Sequence, residues 1–126
     1  LLLNSNNYNF KLFSSFLSSK KENNSDQLRR PEKNYGFEFT KKIQNHILKN
    51  YNFNLQYNHY GKHFDTHSSN FSTIEMDSTD IVNIKIEKLI KNLNYFFKIT
   101  NLLDEKYQRP HGYNQDGRIL KIGIKY

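Results

Sequence analysis

The chain has no cysteine and no tryptophan, and one methionine and two prolines among its 126 residues. The absence of cysteine excludes disulfide bonds and thiolate metal sites, and it leaves the redox compartment open. No apolar run approaches the roughly 20 residues of a transmembrane helix. The opening LLLNSNNYNF lacks an initiator methionine, a basic segment and a long apolar stretch, so we do not expect a signal peptide. We expect instead that a longer protein continues before Leu1.

Apolar residues are also scarce, whereas aromatic rings are abundant. Hydrophobic residues make up 36% of the chain and the mean hydropathy is -0.88, yet aromatic residues reach 15%. Disordered chains are poor in aromatic residues, so global disorder is not expected. Strands that alternate strictly between apolar and polar residues account for both observations, because their hydropathy averages out.

The chain is basic, with a formal charge of +7. Such a balance suggests a nucleic acid or another anionic partner. The abundance of Asn, Lys, Ile, Tyr and Phe is also what an AT-rich genome would produce. A nucleic-acid surface would need rings and lysines on one face. Here most rings alternate with the Asn and Gln rows, so we expect no nucleic-acid partner.

A period of two runs through most of the chain. In its clearest segment Tyr51, Phe53, Leu55 and Tyr57 alternate with polar residues, the pattern of a half-buried strand. The same pattern recurs near residues 8–16, 35–39, 82–88, 93–99 and 120–126. We therefore predict an all-β, antiparallel meander of about six strands without a helix.

The connections between these segments alternate between short and long. Every second connection of a meander lies on the same rim, and bacterial outer-membrane barrels have short turns on one rim and long loops on the other. Three lysines occupy positions that the alternation assigns to the apolar face. All three lie beside a short turn, where they can extend to lipid headgroups: Lys41, Lys49 and Lys88. The opposite parity would line a wet interior through Asn50, Asn52, Asn54 and Gln56.

The last third of the chain carries the most specific motif. Asn101-Leu102-Leu103-Asp104 is followed by Tyr107, then by Gly117-Arg118 and a final strand ending in Tyr126. This order resembles the C-terminal end of TonB-dependent outer-membrane receptors, with N-L-(F/L)-D-x-x-Y, a loop ending in G-R and an aromatic-ended strand. Leu103 stands where Phe is commoner. LRRPEKNYGFEF and YNHYGKHFDTHSS resemble upstream parts of the family. The order of the motifs and the HGYNQDGR loop most resemble its vitamin B12 (cobalamin) branch.

The resemblance implies that residues 1–126 are a C-terminal fragment of a large transmembrane β-barrel of the 22-stranded kind. The plug domain and TonB box would precede Leu1. The protein would be a receptor for active transport of a scarce ligand, cobalamin or an iron chelate, and not an enzyme, with no cofactor. Its implied partners are outer-membrane lipid and lipopolysaccharide, the TonB complex, the barrel-assembly machinery and the small-molecule ligand.

Two groups of functional residues follow from this resemblance. Residues on the long loops would contact substrate: Arg29, Arg30, Tyr60, Arg109, His111 and Tyr113. Arg29 and Arg30 could instead bind lipopolysaccharide phosphates or nearby acids. The closing strand would carry the assembly signal through Leu120, Ile122, Gly123, Ile124 and Tyr126.

Other chemistries are weaker expectations. His63, Asp65 and His67 have a spacing that suits a cation in a helix, but on an extended backbone they do not share a face, so no metal site is expected. Nothing arranges a nucleophile, base and orienting acid on a rigid strand. A small outer-membrane barrel of another type and a soluble β-sandwich binding module remain as alternatives.

Overall fold

The structure is a computed structural model that describes residues 1–17, 27–44 and 50–126. These residues form β-strands and no helix, which confirms the predicted all-β class. The strands are β1 (Leu2–Asn4), β2 (Tyr8–Phe16), β3 (Lys33–Ile43), β4 (Tyr51–Tyr60), β5 (His63–Thr66), β6 (Thr73–Met76), β7 (Thr79–Ile90), β8 (Leu93–Thr100) and β9 (Ile119–Lys125). No helix in the described ranges is long and apolar enough to cross a membrane.

Seven strands form one antiparallel sheet in the order β1-β2-β3-β4-β7-β8-β9. The sheet is open, with β1 and β9 at its edges, and β5 and β6 form a separate hairpin between β4 and β7. The six predicted strands are β2, β3, β4, β7, β8 and β9, so the number predicted was too low. The three additional strands have at most four residues each, too few for a period of two to stand out.

Short and long connections alternate along the sheet, as predicted. The short ones span residues 5–7, 44–50 and 91–92, and the long ones span 17–32, 61–78 and 101–118. We call the two edges that they define the short-turn rim and the long-loop rim. The predicted beginning of the third strand, including Lys49, lies outside the described residues; β4 begins at Tyr51.

The strand register places one apolar face across the whole sheet. Rows of directly opposed residues cross it from strand to strand. One row runs through β2, β3, β4, β7, β8 and β9 as Phe10, Phe39, Leu55, Ile84, Ile99 and Leu120. Because side chains alternate along a strand, the rows two residues away share this face.

No second layer of described residues covers this apolar face. The strands of the sheet contact only their neighbours within it. Leu120, Ile122 and Ile124 are 58%, 75% and 59% exposed. The only buried hydrophobic residue among the described ones is Ile81, and its register places it on the other, polar face. The sheet therefore has no core of its own on the face that carries most of its rings.

Charged residues of the apolar face lie at its two rims. Lys41 and Lys88 lie at the short-turn rim, as predicted, and Lys33 and Asp80 lie at the long-loop rim. The Lys88 ammonium lies 4.6 Å from the centroid of the Tyr51 ring. No charged residue of the described strands interrupts the rows between the rims.

Aromatic residues with polar groups border the apolar face on both sides. The short-turn rim carries Tyr8, Tyr51 and Tyr95, and the long-loop rim carries Tyr35, Tyr57 and His59. At the long-loop rim the Tyr57 hydroxyl donates to Asp80 (2.8 Å), His59 Nδ1 lies 2.8 Å from the same oxygen, and the Tyr35 ring stacks on His59 at 4.4 Å. Tyr51 and His59 are about 26 Å apart along β4, at ~3.3 Å per residue.

The opposite face is polar and internally hydrogen-bonded. Asn54 Nδ2 donates to Glu38 and to Thr40, each at 2.9 Å, and Asn83 Nδ2 donates to Gln56 Oε1 at 3.1 Å. Asn52, Asn54 and Gln56 lie on this face as the alternation predicted. Asn50 lies in the turn before β4, with a left-handed φ of 65°.

Two glycines on the polar face lie beneath aromatic rings. Gly123 of β9 is paired with Phe96 of β8, and a Cβ added at Gly123 would lie 2.6 Å from Phe96 Cζ. Gly36 of β3 is paired with Phe13 of β2, whose Cζ would lie 2.7 Å from an added Cβ. Both glycines leave room for a ring from the neighbouring strand.

Candidate ligand-binding site at the long-loop rim

The three long connections are held together by the carboxylate of Asp65. Asp65 lies on β5 and is fully buried. Its oxygens accept hydrogen bonds from Arg29 Nε (2.8 Å), from the backbone N–H of Thr66 (2.7 Å) and from the backbone N–H of His111 (2.8 Å). Because these donors come from the loop before β3, the β5–β6 hairpin and the loop before β9, one side chain connects all three segments.

The environment of Asp65 favours its charged form. Burial on its own would raise the pKa of this carboxyl, but the hydrogen bonds from Arg29, His111 and Thr66 outweigh burial and lower the pKa below its ordinary value. Asp65 is therefore an anion in the folded protein at neutral pH.

The backbone supports the same junction. The Arg29 N–H donates to the Phe64 carbonyl at 2.6 Å, and Leu28 pairs with Phe64 as a parallel bridge. Arg29 has a left-handed φ of 62°, which directs the chain from this bridge into β3. Its guanidinium was predicted to face substrate, with pairing to a nearby acid as the alternative. In the structure it is paired with Asp65. Arg30 is exposed and is in no ion pair of the described residues.

Two ring contacts assemble other predicted substrate residues. The Arg109 guanidinium lies 4.3 Å from the centroid of the Tyr60 ring, a cation–π contact between the last loop and the end of β4. The rings of His67 and His111 are 4.6 Å apart, and His111 Nδ1 accepts a hydrogen bond from the Ser68 N–H at 3.1 Å. Tyr113 is 66% exposed on the same loop. Thus Tyr60 and Arg109 contact each other, His111 contacts His67 separately, and Arg30 and Tyr113 are exposed.

A groove of about 740 Å³ lies between the end of β6 and the last loop. Its lining includes Tyr107 and His111, the apolar Ile74 and Met76, and six amide or carboxylate side chains: Glu75, Asp77, Glu105, Gln108, Asn114 and Gln115. Of the six predicted substrate residues only His111 lines it. Sequence reasoning missed the other lining residues because the groove forms only when the β5–β6 hairpin lies beside the last loop.

The motif residues of the last loop converge on one turn. Asn101 is buried; its Nδ2 donates to the carbonyls of Glu105 (3.0 Å) and Asp116 (3.2 Å), and its Oδ1 accepts from the Glu105 N–H (2.9 Å). Asp104 Oδ1 accepts from the Arg118 N–H at 2.8 Å, and a Cβ at Gly117 would lie 2.6 Å from that oxygen. Asn101, Asp104, Gly117 and Arg118 thus close the loop between β8 and β9.

The remaining motif residues act through their backbone. The Leu102 N–H donates to the Val82 carbonyl at 2.8 Å, which ties the turn to β7. The Tyr107 carbonyl accepts from the Gln115 N–H at 2.9 Å inside the loop. Leu103, the residue that departs from the family pattern, is 53% exposed and free of this turn's side-chain network.

The histidines near Asp65 are engaged separately. His63 is buried, which lowers its pKa, and its Nδ1 lies 3.4 Å from the Gly61 carbonyl. His67 contacts His111, and the Asp65 oxygens are occupied by N–H donors. Across residues 1–17, 27–44 and 50–126, no group of three or more His, Asp or Glu side chains is arranged to hold a metal ion.

Comparison with known proteins gives no match: no protein-family model matches the chain, and no curated protein matches it.

Proposed function

We propose that this chain is the C-terminal part of the barrel wall of a TonB-dependent outer-membrane receptor, with its apolar face against lipid. The observation that carries the proposal is the apolar face itself, which continues across six strands and which no second layer of described residues covers. Soluble monomers rarely expose a contiguous apolar patch larger than roughly 600 Å². Outer-membrane barrels present such a face to lipid, bordered by aromatic girdles at both interfaces.

The charge distribution supports the same orientation. A lysine at the bilayer midplane of a barrel costs about 2–4 kcal/mol, whereas near the interface the cost falls to about 0–1 kcal/mol. Lys41 and Lys88 lie at one rim and Lys33 and Asp80 at the other. Within the barrel, the hydrogen-bonded polar face would line the lumen, as the Asn and Gln rows predict.

A small barrel of another type would use the same two faces. The receptor is favoured by the turn that closes the last loop, because Asn101, Asp104, Gly117 and Arg118 meet there. These four residues were selected by their resemblance to the family motif, and each has a definite role in one hydrogen-bonded turn.

In this proposal the long-loop rim faces outward and takes part in ligand capture. The groove between β6 and the last loop offers amide, carboxylate and phenol groups, which suit a ligand rich in hydrogen-bonding groups, such as cobalamin or a hydroxylated iron chelate. Arg30, Arg109 and Tyr113 would extend this surface. Lipopolysaccharide would contact the girdle at the same rim, and energy would come from the TonB complex through the N-terminal part of the receptor.

β9 would deliver the assembly signal to the barrel-assembly machinery. Leu120, Ile122 and Ile124 share the apolar face, Gly123 accommodates Phe96 on the other face, and Tyr126 follows the strand fully exposed. The exposed ring of Tyr126 and the apolar row are available for recognition before the strand is embedded.

Cysteine labelling of the intact receptor tests the orientation. The chain has no cysteine of its own, so Ser69→Cys in the hairpin turn and Asn92→Cys in the short turn each add one site to it, and the unsubstituted receptor gives the background labelling. A membrane-impermeant maleimide added to whole cells should label Ser69→Cys, and should label Asn92→Cys only after the outer membrane is permeabilised. Equal labelling of both sites on intact cells, or recovery of the wild-type protein without detergent, would contradict the proposal.

A further inference from the structure

One arginine of the last loop is fixed both at its backbone and at its guanidinium. The Arg109 N–H donates to the Tyr113 carbonyl at 3.0 Å, and the Arg109 carbonyl accepts from Gln115 Nε2 at 2.8 Å. The guanidinium lies over the Tyr60 ring, 4.3 Å from its centroid. A ring covers only one face of a guanidinium, so the N–H donors at the edge of the plane stay available. Arg109 is therefore positioned before any ligand binds.

The described part of the chain does not neutralise the charge of Arg109. Among the described residues, no carboxylate lies within 4.0 Å of its guanidinium, and the guanidinium donates no hydrogen bond to any of them. Together with burial, which is the larger cause, this positive charge lowers the pKa of His63. A half-buried, fixed guanidinium without an acceptor is suited to a planar oxyanion, which it can hold by two parallel N–H···O bonds.

The face of the sheet restricts which anions can reach this guanidinium. The alternation along β4 places Tyr60 on the polar face and His59 on the apolar face. Because Arg109 covers the Tyr60 ring, it lies on the polar side of the long-loop rim. The phosphates of lipopolysaccharide would contact the girdle on the opposite face. A small soluble molecule that enters through the long-loop rim is the anion that fits this position.

We propose that Arg109, positioned by Tyr60, binds a carboxylate or phosphate group of the ligand that is captured at the long-loop rim. This inference rests on the proposed function, because it assigns a chemical class to that ligand: a small molecule that carries an oxyanion. Arg109 contacts the anion, and Tyr60 is a positioning residue. Arg109 does not line the groove beside β6, whose three carboxylates would repel an anion. The groove therefore takes a different, uncharged or donor-rich part of the same ligand.

Titration of the intact receptor in detergent with propane-1,2,3-tricarboxylate tests this site, and the triamide of the same skeleton is the uncharged control. At pH 8 the histidines of the rim are neutral and the carboxylates are charged. Arg109→Met keeps an unbranched side chain over the Tyr60 ring without the charge, and Arg109→Lys keeps the charge without the planar fork. Arg30→Met is the matched control, because Arg30 is an exposed arginine in no ion pair of the described residues.

We expect the wild-type receptor to bind the tricarboxylate and not the triamide. The dissociation constant should rise about 10-fold or more in Arg109→Met and by a smaller factor in Arg109→Lys, since an ammonium cannot form the bidentate pair. Tyr60→Leu keeps the arginine but removes the ring beneath it, so it should also weaken binding, whereas Arg30→Met should not. Heat-modifiable mobility in SDS gels checks that each variant is folded.

The inference would be overturned if the wild-type receptor did not bind the tricarboxylate at about 10 mM, which corresponds to less than roughly 3 kcal/mol of binding free energy. Unchanged binding in Arg109→Met, equal weakening in Arg30→Met, or equal binding of the triamide would also overturn it. Loss of binding to purified lipopolysaccharide in Arg109→Met would do the same, because it would place a lipid phosphate on this arginine. Failure of the wild-type protein to enter the outer membrane would instead overturn the proposed function.

Discussion

At the scale of single residues, Asp65 does most to organise the long-loop rim. Sequence reasoning considered it only as a weak metal candidate, because hydrogen-bond donors from distant segments cannot be recognised in a linear pattern. The structure surrounds it with N–H groups from three segments. A buried carboxylate with three donors is a rigid joint, and the candidate groove depends on the segments it joins.

Replacement of Asp65 by alanine should loosen this joint. The three donors would lose their acceptor, at a cost of about 1–3 kcal/mol. We expect backbone hydrogen exchange at Thr66 and His111 to accelerate by about 10-fold or more in the folded receptor. Asp77→Ala is the matched control, since the Asp77 side chain is 96% exposed and its ion pair with Lys62 is long, at 4.0 Å. Unchanged exchange in Asp65→Ala would refute this role.

The same carboxylate should make the rim sensitive to acid. Because the pKa of Asp65 is lowered in the folded state, its stabilising contribution is complete above its unfolded pKa of about 3.9 and is lost as pH falls through the lower folded value. A nitroxide at Ser69 should keep constant mobility from pH 7 to about pH 5 and become mobile below about pH 4. Asp65→Asn should remove that transition; an identical transition in this variant would assign it to another group.

At the scale of strands, the sequence predicted the six strands that alternate between apolar and polar residues. It missed the elements that depend on tertiary contacts. The clearest alternation, which includes Tyr51, Phe53 and Leu55, sufficed to place β4, and shorter runs placed β2, β3, β7, β8 and β9. The β5–β6 hairpin was missed because its four-residue strands lie in a polar connection and are held by Arg29 and Asp65. The motif residues Asn101, Asp104, Gly117 and Arg118 were singled out from the sequence, but the turn that they form and its hydrogen bonds required the structure.

The pairing of Gly123 with Phe96 gives a prediction at the same scale. A Cβ at position 123 would lie 2.6 Å from the Phe96 ring, so Gly123→Ala should displace the ring and lower the free energy of unfolding by about 1–3 kcal/mol. The double variant Phe96→Ala/Gly123→Ala should be more stable than the sum of the two single changes predicts, because Phe96→Ala removes the ring with which the new Cβ would clash. Urea unfolding in detergent micelles measures all three variants, and strict additivity would contradict the contact.

At the scale of the whole molecule, the decisive feature is the difference between the two faces of one sheet. A barrel wall between lipid and lumen has the same features. These are long loops at one rim and short turns at the other, an aromatic border at each rim, and charges on the lipid face that are confined to the rims. The sequence predicted both faces because their residues alternate. It could not predict that Lys85, Lys98 and Lys121 are neighbours on the polar face, since they come together only through the register of three strands.

The account is tested most directly by nitroxide scanning of β4 from Tyr51 to Tyr60 in the intact protein reconstituted in a lipid bilayer. Oxygen concentrates in the hydrocarbon core, so collision with dissolved oxygen reports lipid exposure. The account predicts high accessibility to oxygen at positions 53 and 55 and low accessibility at 52, 54 and 56, with a period of two. Low accessibility at 53 and 55, as a covering protein layer would produce, would contradict it.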